Sequence, residues 1–321
     1  MEEVLRLLLA GGVVSGEEIS AKLSITRAAV WKRVEQLRAA GYAVEAVGRR
    51  GYRLGPLPDA LHAPLVEQGL ATAWAGRPVR YAKSVDSTNL WCKRLAMEGA
   101  PHGTFAVAET QSAGRGRRGR AWASQAGAGV FMTLLLRPRA HPSQVAQLTL
   151  LTALAVAEGI EAASGARAGI KWPNDVVMDG KKVCGILLEM SADEAEVHFV
   201  VAGAGINAHA SPPELADTAT CVDAVCGRRI QRAALARAFL SHFEARYGQF
   251  ERSGMAEWMD DYRALSVTLG RRVRVASANG TFEGTARDVD AQGALIVEDD
   301  ALVRHTVLAG DVSVRGVMGY V

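Results

Sequence analysis

The stretch that most constrains this chain is Gly55-Pro56-Leu57-Pro58. Two prolines beside a glycine neither continue a helix nor lie inside a central strand. The 321 residues therefore divide into a short N-terminal segment, 1–58, and a body long enough to bury a large core.

The short segment has a definite order. Glu2 to Ala10 places Val4, Leu5, Leu7, Leu8 and Leu9 on one side of a helix that Gly11-Gly12 stops. Ser15-Gly16-Glu17-Glu18 has the spacing of a capping box and starts a second helix carrying Ile19 and Leu23. Thr26 caps a third helix, with Val30, Val34 and Leu37 as its inward stripe and Gly41 as its left-handed stop. Tyr42 to Val47, the turn Gly48-Arg49-Arg50-Gly51 and Tyr52 to Leu54 read as strand, basic turn and strand. Three helices and a basic hairpin make a winged helix-turn-helix. Its DNA-contacting candidates are Thr26, Arg27, Trp31 and Lys32, with Arg38, on the third helix, and Arg49 and Arg50 on the wing. The alternative for these residues is a set of solvated charges, with Trp31 packing at the core edge. Charge agrees with a polyanion partner for this segment: nine Lys and Arg stand against six Glu in 1–58, and the remainder of the +3 chain is neutral.

In the body, Thr104 to Glu109 alternates like a strand and runs into Gly114-Arg115-Gly116-Arg117-Arg118-Gly119-Arg120, followed by Trp122. The spacing formally matches a dinucleotide-binding turn. However, no Asp or Glu occurs from Thr110 to Ala157, and a strand, Val130 to Leu136, follows where a helix is required. A Walker loop is excluded because no Gly-Lys-Ser/Thr closes it. Four arginines among glycines repel one another until an anion sits between them. Such a loop is expected to be loose when empty and to close on a phosphate or carboxylate. A basic loop on nucleic acid is the competing reading, and Trp122 would stack in either case.

Further on, Ile170 to Met178 reads as a strand broken at Pro173 with Asn174 and Asp175 at the break. Asp179-Gly180 is a hairpin turn, and the returning strand carries Lys182 and Gly185. Gly203-Ala204-Gly205-Ile206-Asn207 ends an apolar strand with small residues that let a ligand approach the backbone. Ser87, Thr88 and Asn89 offer short polar groups at the start of a helix, suited to a compact polar heterocycle or to capping. Cys221 and Cys226 have four residues between them and no paired His or Cys motif beside them, so they are weak metal ligands.

The longest apolar stretch, Leu148 to Ala157, is too short to span a bilayer, and Met1-Glu2-Glu3 does not open a signal peptide. The expectation is a cytoplasmic protein with no membrane partner and four reduced cysteines.

Ser87-Thr88-Asn89, the arginine-glycine loop, Lys171-Trp172-Pro173-Asn174-Asp175, Lys182 with Gly185-Ile186-Leu187, and Gly205-Ile206-Asn207 occur in the order found in biotin protein ligases. With its winged helix the chain resembles the bifunctional bacterial form, which also represses the biotin operon. The resemblance implies an α+β architecture: a winged helix-turn-helix at 1–58, a mixed α/β catalytic domain at 59–265 and an SH3-like β-barrel at 266–321. For the last, five short β patterns are legible independently, at Arg271–Val275, Gly280–Val289, Ala294–Glu298, Val303–Leu308 and Val312–Arg315. Gln231 to Phe250 reads as the helix leading to them.

The implied chemistry joins biotin and ATP, with Mg²⁺, into biotinyl-5′-AMP and then transfers biotin to a lysine of a biotin carboxyl carrier domain. The implied catalytic cations are Lys182, Arg115, Arg117 and Arg120. Biotin would be held by Ser87, Thr88, Asn89, Gln111, Gly114, Arg115, Gly116, Arg117, Lys182 and Gly185. The adenylate would be held by Arg117, Arg118, Arg120, Trp122, Asn174, Lys182 and Asn207, and Mg²⁺ by Asp175. The partners implied are the carrier domain, operator DNA and a second copy of the chain when adenylate is bound.

Overall fold

The computed structural model describes residues 1–139, 141–194, 196–277, 280–309, 313–316 and 320. These fall into two compact units, Met1–Leu70 and Ala71–Val321.

In the first unit, α1 (Glu2–Leu9) buries Val4, Leu5 and Leu8, followed by the short strand β1 (Val13–Val14). The Ser15 hydroxyl accepts from the Glu18 amide at 3.0 Å and starts α2 (Gly16–Leu23), which buries Ile19. Thr26 accepts from the Ala29 amide at 3.2 Å and starts α3 (Arg27–Ala39), whose Val30, Val34 and Leu37 are buried. The wing is β2 (Val44–Ala46) paired antiparallel with β3 (Tyr52–Leu54) across the Gly48–Arg50 turn. Unforeseen in the sequence, β1 pairs with the other side of β3 to complete a three-stranded sheet.

The unit also continues past the expected boundary at Pro58. Leu61, Ala63, Leu65 and Val66 are buried around α4 (Ala63–Glu67), which packs on α1. The Tyr42 hydroxyl lies 2.7 Å from His62 Nδ1, and Arg6 pairs with Glu67 at 2.9 Å. The prolines break regular structure as expected, but the apolar run beyond them returns to the same core.

The second unit is built on a mixed seven-stranded sheet. Parallel strands β4 (Val79–Val85) and β5 (Phe105–Gln111) are joined by α5 (Thr88–Met97). β6 (Gly129–Leu136) runs antiparallel to β5, and α6 (Val145–Ser164) follows. Next come β7 (Gly169–Lys171), β8 (Asp175–Met178), β9 (Lys181–Ala192) and β10 (Val197–Asn207), giving the order β4-β5-β6-β10-β9-β8-β7. The segment around Pro173 is thus a reversal between two antiparallel strands, β7 and β8, where the sequence read one interrupted strand. Asp179 and Gly180 both take positive φ, as a tight hairpin turn requires.

Cys92 and Ala96 of α5 pack with Ala106, Leu135 and Val201 on one face of the sheet. After the short α7 (Val222–Cys226), α8 (Arg232–Ser253) packs with α6 on the opposite face, where Phe105 meets Phe239. Gly159 allows the two helices this approach, since a Cβ there would stand 2.9 Å from the Phe239 amide nitrogen. The segment containing α6 is longer than the apolar run read from the sequence, and it is long and apolar enough to cross a bilayer. Its Leu148, Leu151, Leu154 and Val156 are instead buried in this core.

After α9 (Met259–Leu265), strands β11 (Arg272–Ser277), β12 (Gly280–Val289), β13 (Leu295–Glu298), β14 (Arg304–Val307) and β15 (Ser313–Gly316) form an antiparallel sheet in the order β14-β13-β12-β11-β15. These are the five strands expected of the C-terminal domain. The turn at Asn279-Gly280 lies partly outside the described residues, as does the last strand's expected start at Val312, and Gly310-Asp311 lies wholly outside them. Trp172 ties this sheet to the seven-stranded one: its amide donates to Thr268 Oγ1 at 2.9 Å and its indole to the Gly293 carbonyl at 3.1 Å.

Candidate functional site

One cavity of about 900 Å³ opens at the end of the seven-stranded sheet. That is enough for a ligand of drug size or somewhat larger. Of the residues expected to bind ligand, Ser87, Thr88, Asn89, Gln111, Arg115, Gly116, Arg117, Arg118, Arg120, Trp122, Asn174, Asp175, Lys182 and Gly185 all line it. Gly114 and Asn207 do not. A Cβ on Gly114 would stand 2.3 Å from the Trp122 carbonyl oxygen, so this glycine shapes the loop. Asn207 is buried and donates to the Thr220 carbonyl at 3.1 Å.

The arginine loop is folded back on itself. The Trp122 amide donates to the Gly114 carbonyl at 2.9 Å, and the Gly116 amide to the Arg120 carbonyl at 2.7 Å. Arg118, at φ 57°, turns the tip. The guanidinium groups are divided between two situations. Arg115 Nη1 reaches Glu189 Oε1 at 3.4 Å, while Arg117 donates to Asn174 Oδ1 at 2.9 Å and to the Ala309 carbonyl. Arg118 and Arg120 have no side-chain partner among the described residues and face the cavity. Burial, with Arg118 and Arg120 nearby, pushes the Arg117 guanidinium below its ordinary value, and Asp175 opposes this.

Lys182 reaches the cavity through a β-bulge. On β9, alternate residues Gly185 and Leu187 line the cavity, so strict alternation would turn Lys182 to the other face. Val177 pairs with Lys182 and Val176 with Cys184, leaving Val183 as the extra residue. The bulge returns the ammonium to the ligand side. There it stands 2.6 Å from Asp175 Oδ1 and 5.4 Å from the Trp122 ring centroid. Asp175, the expected Mg²⁺ ligand, is therefore the counter-ion of Lys182, and its Oδ2 accepts from the Tyr320 hydroxyl at 2.7 Å.

The glycines expected to let a ligand approach have a further use. A Cβ on Gly205 would stand 2.5 Å from Trp122 Nε1, and one on Gly185 2.6 Å from the Trp122 ring. The indole lies flat on this glycine floor, and its buried N–H has no partner within the described residues. Gly203 accommodates Asn89 in the same way, with Oδ1 2.0 Å from where a Cβ would be. Asn89 lines the cavity, yet its polar atoms face the protein: Nδ2 donates to the Leu187 carbonyl and Glu189 Oε2, and Oδ1 accepts from Thr133 Oγ1. Gln111 Oε1 accepts from the Thr88 amide at 2.8 Å and from its hydroxyl at 3.1 Å, capping α5.

The sequence reading missed Lys171 and Tyr320. The buried Lys171 ammonium sits 3.6 Å from the Tyr320 ring centroid and donates to the Tyr320 carbonyl. Lys171 was part of a recognisable motif. Tyr320 had no signal, because only the fold brings residue 320 to residue 175. Cys221 and Cys226 hold free thiols.

In the first unit, Trp31 is 58% exposed, and Lys32, Arg49 and Arg50 are exposed. Arg27 is exposed and pairs with Glu17 at 3.1 Å. Thr26 serves as the cap of α3. Arg38 is withdrawn from the reading face: it donates to the Val44 carbonyl at 2.8 and 2.9 Å and pairs with Glu35.

Three family models match the chain: an HTH domain over residues 1–53, the biotin/lipoate A/B protein ligase family over 81–207 and the biotin protein ligase C-terminal domain over 268–315. The chain is 42% identical to the bifunctional ligase/repressor BirA of Bacillus subtilis over 289 residues, 89% of each chain. It is 29% identical to the Escherichia coli protein of the same name, over 98% of this chain and 96% of that one. Biotin protein ligase from Aquifex aeolicus, solved in complex with biotin and ATP, superposes with a TM-score of 0.65 at 28% identity, covering 75% of this chain and 99% of that one. A helix-turn-helix unit, a cation-lined cavity on a mixed sheet and a small β domain, matched in this order along nearly the whole length of such relatives, place the chain in the BirA family of bifunctional biotin protein ligases.

Proposed function

We propose that the cavity joins biotin to ATP as biotinyl-5′-AMP and passes the biotinyl group to a lysine of a carboxylase's biotin carrier domain. The first unit, in this reading, binds the operator of biotin-synthesis genes. The observation that carries the ligase half is the convergence of Lys182, Arg115, Arg117, Arg118 and Arg120 on one cavity.

The physical obstacle in the first step is contact between two anions. A carboxylate oxygen must attack the α-phosphorus while pyrophosphate leaves. Lys182 and Arg117, fixed by Asp175 and Asn174, neutralise both groups as they meet. Arg118 and Arg120 hold the departing phosphates. Trp122 supplies an apolar face beside the adenine. Asp175 brings carboxylate oxygens, the donor type Mg²⁺ takes, to the cavity wall, so it is the residue that would hold the ion by exchanging its Lys182 pair for it, and Mg²⁺ would supply further neutralisation of ATP when bound. In the second step the acceptor amine attacks the anhydride carbonyl, AMP departs with the bonding pair, and the amine loses its proton. No side chain forms a covalent intermediate.

For repression, one α3 and one wing cover a single half-site, so a homodimer formed with adenylate bound is the reading for tight operator recognition. The same reading sets the protein in the cytoplasm, where ATP, carrier and operator meet.

Incubation with labelled biotin, MgATP and a carrier domain is expected to release pyrophosphate and to add the mass of one biotinyl group to the carrier. Transfer of lipoate in preference to biotin would replace this substrate assignment. Absence of any ATP-dependent adenylate would leave a ligand-sensing DNA-binding protein.

A further inference from the structure

Glu189 does not line the cavity but bonds two residues that do, Asn89 and Arg115, and it stands outside the set expected to touch ligand. It projects from β9 on the same face as Gly185 and Leu187. Its side chain is 18% exposed and receives three donors. Asn89 Nδ2 reaches Oε2 at 2.9 Å, Lys93 Nζ reaches Oε1 at 2.7 Å, and Arg115 Nη1 reaches the same Oε1 at 3.4 Å. Burial pushes the carboxyl up, but Lys93, Asn89 and Arg115 together hold it below its ordinary value, so it is ionised at neutral pH.

The three donors are unequal. Asn89 is fixed from behind by Thr133 at 2.8 Å and by the Leu187 carbonyl at 3.0 Å. Lys93 sits on α5, a regular helix anchored in the core by Cys92 and Ala96. Arg115 comes from the glycine-rich loop, is half exposed and makes the longest contact. It is the donor that can leave, and Lys93 then remains as the counter-charge.

We propose that Glu189 is a positioning residue that parks Arg115 against the cavity wall in the empty chain and yields it to the anionic group of the arriving ligand. The loop is thereby tethered at Arg115 without an anion, and the charge of one of its four arginines is offset. Asn89, at a position the sequence assigned to biotin, acts through Glu189. This inference rests on the reading that Arg115 meets the ligand's carboxylate or phosphate.

The test uses the full chain, amide hydrogen exchange over residues 113–121, and the affinity for a non-hydrolysable biotinyl-5′-AMP analogue. Glu189→Gln keeps the Asn89 contact and removes the charge. It is expected to speed exchange of the loop in the empty chain and, because the parked pair no longer competes, to tighten analogue binding about two- to fivefold. Glu189→Asp is expected to retain most of the parental protection. In an Arg115→Ala background the gain from Glu189→Gln disappears. A gain that persists in that background means simple repulsion between Glu189 and the ligand, and overturns the parking role. Unchanged loop exchange in Glu189→Gln, with Arg115→Ala still weakening the analogue, overturns the inference while leaving Arg115 as a ligand contact. If Arg115→Ala leaves the affinity unchanged, the reading of Arg115 as a contact falls, and the release step falls with it.

Discussion

Replacing Lys182 with alanine removes two things at once. The first is the ammonium that the proposed reaction sets where carboxylate and α-phosphate meet. By analogy with deleting one oxyanion donor, that loss costs about 2.7 to 4 kcal/mol of transition-state stabilisation, or roughly 10²- to 10³-fold in rate. The second follows from the 2.6 Å pair with Asp175, whose side chain is only 17% exposed. Without Lys182 that carboxylate keeps the Tyr320 hydroxyl, loses its cation and repels the incoming acid. Biotin alone, titrated calorimetrically without nucleotide, isolates these two effects from any role Asp175 has with ATP. A charged hydrogen bond removed at a partly buried site is worth about 1.5 to 3 kcal/mol, so the Kd of Lys182→Ala for biotin is expected to rise about 10- to 150-fold. Adding Asp175→Asn removes the repulsion and is expected to recover about five- to tenfold of that loss. Biotin-dependent pyrophosphate exchange reports the chemical step and is expected to fall by at least about 10²-fold in Lys182→Ala. Exchange within a few-fold of the parent, in a variant with unaltered circular dichroism, would refute the assignment of Lys182 to the reacting acids.

Three further outcomes are expected. Gly205→Ala puts a methyl group against Trp122 Nε1; because the indole is carried by a loop, the melting temperature should change little while affinity for the adenylate analogue falls roughly 5- to 150-fold, on an overpacking cost of about 1–3 kcal/mol. Unchanged affinity would remove Trp122 from the ligand floor. Alanine at both Arg49 and Arg50 should flatten the dependence of log K on log salt for an operator fragment by about 0.9 for each phosphate the wing no longer neutralises, and an unaltered slope would show that the wing does not touch the backbone. Burial pushes the Cys92 thiol up to about 12 and the Cys184 thiol up as well. At pH 8 a maleimide should therefore label the partly exposed Cys226 in the native chain and reach Cys92 and Cys184 only after unfolding, as mass spectrometry of the peptides would register.

The first unit was legible because its signals are local. Caps at Ser15 and Thr26 and the stripe Val30, Val34, Leu37 act within a turn or two of the chain. The arginine loop and the motif around Asn174 were legible as motifs, and they do meet in one cavity. What escaped depends on long-range partners. Asn89 reads as a polar group available to ligand until Thr133 and Glu189, far along the chain, engage it. Gly203 and Gly205 read as openings until Asn89 and Trp122 fill them. Arg38 reads as a DNA contact until the Val44 carbonyl is found within its reach. The extent of the first unit was misjudged because Pro58 ends a pattern without ending a core, and the bonds of Tyr42 to His62 and Arg6 to Glu67 are long-range.

The extra residue at Val183 gives one strand two independent phases. From Met178 to Lys182 the ladder is indexed to the tight turn, while from Cys184 onward it is indexed to the broad sheet behind it. Were the two strands to zip together without that slack, Val183 would take the place opposite Val177 and the ammonium would swing from the cavity side of the sheet to the side on which α6 and α8 pack. The irregularity thus works as a clutch: drift in the broad sheet can be absorbed at Val183, while the facing of the Lys182 ammonium stays indexed to the tight turn.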